Sequence, residues 1–207
     1  LSTESILNVA FNSSLSRYGG DIAVGAMTII ASVSQFVLMP LSGICQGAQP
    51  ILSYNYGAGK VKRVREAFSC LLRACLSYSM AIWLLVELFP SVFVRIFNST
   101  PSLVAYASRS VRIYMACSGI FGIQTACQQT FVALGNAKTS LLLAVWRKII
   151  LLVPLIYILP CFFADKAFAV FLAEPVADFG AVVMTSVMFY RQFRRSMRAL
   201  EETTGET

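Results

Sequence analysis

Apolar residues in this chain come in blocks of about 20 residues or more, and the short stretches between them gather most of its charge. A helix of that length, rising 1.5 Å per residue, crosses the ~30 Å hydrocarbon layer of a bilayer. Lipid offers the backbone no hydrogen-bond partner, so such blocks must coil as helices to satisfy their own N–H and C=O groups. Only 13% of the 207 residues are charged and 57% are hydrophobic, too little charge to cover a soluble domain. The expected fold class is therefore all-α, a polytopic integral membrane helix bundle.

Complete spans are read at 22–45, 67–89, 109–134, 140–163 and 167–190, with a shortened first helix at 1–16. They form one transmembrane unit over 1–190. Residues 191–207 are expected to make a basic, then acidic tail, disordered beyond the helix end. Arg17-Tyr18-Gly19-Gly20-Asp21 reads as a tight turn, and Asp165-Lys166 as a minimal one. Basic residues alternate from side to side: Lys60, Lys62, Arg63 and Arg65 follow one span, Lys138 another, and Arg191, Arg194, Arg195 and Arg198 the last. The bias of Lys and Arg toward cytoplasmic loops puts these ends, and the C-terminus, in the cytoplasm. The net charge of +7 is then a topology signal and does not point to nucleic acid. The chain opens on Leu1 with a short first apolar stretch, which reads as a fragment, the C-terminal part of a longer membrane protein.

Catalytic chemistry finds little to work with. Histidine is absent, removing the commonest metal ligand and the usual general base. The six cysteines lie almost wholly inside apolar blocks with no Cys-x-x-Cys spacing, so neither a disulfide framework nor a metal centre is expected. No polar segment is large enough for a catalytic domain. The chain is read as no enzyme, without cofactor or metal.

Polar residues inside spans are the functional candidates, because polar groups at membrane depth must face protein or water. Glu4, Asn8 and Asn12 recur every four residues and share one helix face, either as a solvated helix end or as a cavity-facing stripe. Gln35 interrupts the next span. The span 109–134 is rich in small residues and amides, including Gln124 and Gln128, which suits close helix packing, a cavity lining, or both. Arg147 and Lys148 lie about 10 Å inside one boundary by helical rise. Glu174 and Asp178, four apart on the following antiparallel helix, share a face within reach of Arg147 or Lys148. A structural ion pair is the first reading there, and a proton or cation relay the second.

One stretch joins apolar to basic sequence: Gln46-Gly47-Ala48-Gln49-Pro50-Ile51-Leu52-Ser53-Tyr54-Asn55-Tyr56-Gly57-Ala58. Its proline and glycines are expected to break the helix, and Gln46, Gly47, Gln49, Pro50, Asn55 and Gly57 to form a hinge. The Gly-x₄-Gly-Lys-Ser/Thr spacing of a phosphate loop is missing. This stretch resembles a signature of MATE (multidrug and toxic compound extrusion) transporters of the bacterial type. Tyr18-Gly19-Gly20-Asp21 with Ala26-Met27, Phe89-Pro90 with Ile96-Phe97, and Gln129-x-x-x-Ala133-Leu134-Gly135-Asn136-Ala137-Lys138 are similar to the family as well.

The resemblance implies the C-terminal six-helix lobe, helices seven to twelve, of a twelve-helix two-lobe protein. Its lobes rock to expel cationic or amphipathic compounds from a bacterial cell across the cytoplasmic membrane in exchange for H+ or Na+. The implied partners are drug-like small molecules, membrane lipids and the N-terminal lobe. It makes Glu4 the candidate for cation coupling, with Asn8, Asn12, Gln35, Gln124 and Gln128 as cavity-lining candidates. Some branches of the family couple through an aspartate in the tenth helix, and Ile123 stands at that position here. The alternatives are a lipid-linked precursor flippase of the same superfamily and a non-transporting membrane fragment.

Overall fold

The computed structural model describes residues 2–204, with side chains from Ser5 to Glu202. Helix α1 (Ser2–Gly57) contains one non-helical residue, Gly20, at φ 63° and ψ −162°. L-residues with a Cβ rarely adopt that φ, and glycine adopts it freely. The chain reverses there. Residues at matching distances on either side, Asn8 and Ser32 or Asn12 and Thr28, line the same hollow, so the two limbs lie side by side.

The remaining elements are α2 (Val61–Leu88), α3 (Pro90–Phe97), α4 (Pro101–Tyr114), α5 (Ser118–Ala133), α6 (Ala137–Val145), a π-helical segment (Trp146–Leu152), α7 (Val153–Ile158), a 3₁₀ turn (Leu159–Cys161) and α8 (Lys166–Thr204). No strand occurs among the described residues. By length and composition, four helical stretches can cross a membrane: Ser5–Gly57, Val61–Leu88, Ala137–Cys161 and Lys166–Glu202. The first of these is the folded-back pair of limbs.

Two apolar clusters fix how the helices alternate. One gathers Leu7, Phe11 and Leu15 from the first limb of α1 and Ala26 and Ile30 from the second, with Val86, Val94, Val104, Ile156 and Phe171. The other gathers Leu41 and Leu52 with Val61, Val64, Ala133, Leu134 and Met197. The second limb of α1, α2 and α8 each run from one cluster to the other in alternating directions, as in an antiparallel serpentine bundle. The second cluster marks the basic end, where Lys60, Arg65 and Arg194 lie.

Several boundaries differ from those expected. The second limb of α1 passes through Pro40 and Pro50 without stopping, so the Gln46–Ala58 stretch is helical to Gly57. A proline removes one backbone bond and kinks a membrane helix without obliging it to end. The basic run is likewise helical, since α2 begins at Val61. The traverse read as 109–134 starts at Pro101 and is broken at 115–117, where Ala116 donates to Ile113 and Ser118 to Met115 across three residues. The tail is not disordered after residue 190, because α8 continues to Thr204. Phe89-Pro90 does separate α2 from α3, and Arg112 Nε donates to the Glu87 carbonyl at the end of α2, 3.0 Å away. Asp165 caps α8, its Oδ1 accepting from the Phe168 N–H at 3.0 Å.

Candidate functional site

The two limbs of α1, with Phe97 of α3, enclose an open cavity of about 620 Å³. Asn8 and Asn12 face it from the first limb; Met27, Thr28, Ala31, Ser32, Gln35, Phe36 and Met39 line it from the second. The spacing 28, 32, 35, 39 is one face of a helix, which is why a single limb supplies a whole wall. The hydroxyls are spent locally: Thr28 donates to the Val24 carbonyl at 3.2 Å and Ser32 to that of Thr28 at 3.0 Å. That leaves the exposed amides of Asn8, Asn12 and Gln35 as the groups that can turn toward a ligand. The other walls are aromatic and thioether surface. The Glu4 side chain lies outside the described residues.

Gln124 and Gln128 sit elsewhere. Gln124 is 2% exposed within α5, and its Oε1, like the Nε2 of Gln128, has no hydrogen-bond partner.

A second, smaller pocket of about 70 Å³ lies between α1, α4, α5, the π-helical segment and α8. Arg147 projects into it from the π-helical segment and meets both acidic residues of α8. Its Nε donates to Asp178 Oδ1 and its Nη2 to Glu174 Oε1, both at 2.7 Å. The guanidinium also stands 4.9 Å from the centre of the Phe121 ring. The three charged side chains are 9–11% exposed. Ser34 of α1, Tyr114 at the end of α4 and Ser118 at the start of α5 complete the wall. The ion contact is made by Arg147; Lys148, its neighbour, does not line the pocket. Charges this buried persist only with close partners.

Two features that build this pocket escaped the sequence reading. In the π-helical segment Val153 donates to Lys148, five residues back, in place of the usual four. Pro154, which has no N–H to give the carbonyl of Ile150, was its available signal. The break at 115–117 has no proline, and its small residues are equally at home in a helix.

The hinge stretch is tied to α5. Gln129 Nε2 donates to Gln49 Oε1 at 2.7 Å, so two of the sequence motifs touch. Asn55 Nδ2 donates to Ile51 O at 2.8 Å inside the same helix. A Cβ added at Gly47 or Gly57 would meet nothing within 4 Å. The residue whose backbone demands glycine is Gly59, at φ 71°. There Lys60 N–H reaches Asn55 O at 3.0 Å and Gly59 N–H reaches Tyr56 O at 3.1 Å, the paired bonds of a Schellman cap.

A sequence profile of one family, MatE, matches residues 1–158, most of the chain and all the cavity-lining residues just described. The chain belongs to the MatE family. Among solved structures, it is 34% identical to DinF-BH, a MATE multidrug transporter solved as a complex, covering 92% of this chain and 42% of that one, with a TM-score of 0.78. A MATE structure in a bent conformation superposes with a TM-score of 0.87 at 17% identity, covering 99% of this chain and 44% of that one. A FAD transporter of Shewanella oneidensis is 23% identical over 185 residues, 89% of this chain and 39% of its own length. The MatE chain thus spans less than half the length of these relatives. It shares with them an all-α membrane bundle.

Proposed function

We propose that the protein carrying this MatE chain is a secondary active transporter exporting flat, amphipathic organic compounds across the bacterial cytoplasmic membrane in exchange for H+ or Na+. This chain is its C-terminal lobe, with the C-terminus in the cytoplasm, and access alternates as it rocks against an N-terminal lobe. The observation that carries the reading is the cavity of about 620 Å³, large enough for a drug-sized molecule, with aromatic and thioether walls and three amides. Such walls stack on ring systems, and amides accept or donate without demanding one sign of charge. Two relatives carry their cargo in their names, one a multidrug transporter and the other a FAD transporter, and both support a broad class of organic cargo that includes ring systems.

Coupling requires a carboxylate that takes and releases a cation as the lobe moves. Glu4 is the first candidate by resemblance. The Arg147–Glu174–Asp178 cluster supports a second reading, because two neighbouring carboxylates lining a pocket at membrane depth can take up a proton or a monovalent cation.

The test uses the intact protein in cells loaded with a planar aromatic dye. Asn12→Leu with Gln35→Leu should slow energised efflux while membrane expression holds. Full efflux by that variant would remove the cavity from the transport route. Glu4→Gln and Asp178→Asn, each assayed under imposed pH and sodium gradients, assign coupling to whichever abolishes the response to the gradient.

A further inference from the structure

At the basic end, away from the α1 cavity, a groove of about 580 Å³ opens between α2, α5 and α8. Its floor is aromatic. Phe189 and Phe193 stack at 5.0 Å, and Phe68 stands 4.6 Å from the first and 5.2 Å from the second. Ile123 continues the floor deeper along α5. Arg65 and Arg194 stand among the lining residues and form its rim. We propose that this groove binds one anionic phospholipid, its phosphate on Arg65 and Arg194 and an acyl chain along Phe68, Phe189, Phe193 and Ile123.

The distribution of groups along the helices carries the inference. On α2, Arg65, Phe68 and Leu72 fall at i, i+3 and i+7, one face running from charge to hydrocarbon. On α8, Phe189, Phe193 and Arg194 repeat the same order in the antiparallel sense. Both helices therefore place a cation where the apolar surface ends, matching the one step from headgroup to tail in a lipid. At about 42 Å and 58 Å by helical rise, α2 and α8 both outreach the ~30 Å hydrocarbon, so the arginine rim falls at headgroup depth.

The cations are also held in place. Arg65 is tied to Glu201 at 2.8 Å, and Arg194 donates to the Tyr190 hydroxyl at 2.8 Å with its guanidinium 5.2 Å from that ring. Each keeps further N–H donors in a planar fork suited to phosphate oxygens. Two arginines against Glu201 leave the rim itself positive. Basic pockets between membrane helices attract anionic headgroups.

The test uses the full chain, purified in detergent and stripped of lipid, titrated with phosphatidylglycerol or phosphatidylcholine while native mass spectrometry counts bound lipid. One phosphatidylglycerol should bind where phosphatidylcholine does not. Arg65→Gln with Arg194→Gln should weaken that binding roughly ten- to thirty-fold. Arg191→Gln with Arg198→Gln removes equal charge off the groove and should change it little. Glu201→Gln breaks the Arg65 pair but keeps the cation, and should retain the lipid, which separates loss of binding from loss of structure. Equal retention of both lipids, undiminished binding by the groove variant, or displacement by millimolar inorganic phosphate would each overturn the proposal, the last assigning the rim to a free anion.

Discussion

At the scale of single residues, Arg147 joins two buried carboxylates of α8. Replacing it with methionine takes their shared guanidinium away from two buried carboxylates, and breaking a buried pair in this way costs about 3–5 kcal/mol. Arg147→Met should therefore lower the melting temperature sharply in fluorescence-detected gel filtration. Adding Glu174→Gln and Asp178→Asn should restore much of it, since the charge is then gone. Gly122 is the steric counterpart. A Cβ there would stand 2.5 Å from the Cys75 carbonyl and 2.5 Å from Ser79 Oγ, so α2 and α5 would have to part. Gly122→Ala should cost about 1–3 kcal/mol in the same assay, while Gly47→Ala costs little. An ion pair between the two carboxylates and Arg147 or Lys148 is legible in the sequence, because helical phase puts both carboxylates on one face of a neighbouring antiparallel helix; that Arg147 makes it is read from the structure. Ser34, Tyr114 and Ser118 are not legible as its companions. They come from three distant segments, and nothing local tells a buried serine facing a cluster from one facing its own backbone.

At the scale of elements, apolar block length locates the traverses well, because the bilayer imposes it, but helix ends obey other rules. The Gln46–Ala58 stretch contains the residues that stop soluble helices, yet the limb continues through both prolines to Gly57. What ends it is Gly59, one residue beyond the motif, in the left-handed region with both cap bonds made. Gly59→Ala should cost about 1 kcal/mol and fray the last turn, whereas Gly57→Ala should not; amide hydrogen exchange over 52–58 distinguishes them. The π-helical segment is the opposite case, a helix that widens without ending. Its extra residue per turn shifts the phase of Arg147 relative to Ile156, a shift no periodicity count over the whole span would detect.

At the scale of the whole molecule, the serpentine order puts Cys161 at the opposite end from Lys60, and Cys161 is exposed. With the other cysteines replaced, a membrane-impermeant maleimide should label Cys161 on intact cells, and a cysteine placed at Gly57 only after the cells are opened. The reverse pattern would invert the topology proposed above. The helices of this bundle are also unequal in reach. The second limb of α1 and all of α8 extend to about 56 and 58 Å, far more than a bilayer's oily core needs, and both finish at the basic end. The surplus lies at the basic end, where Arg65 of α2 is tied to Glu201 of α8. In the rocking cycle proposed above, that end is a handle on the lobe. Force or binding applied there would act on the cavity wall that the second limb of α1 carries further along the same helix.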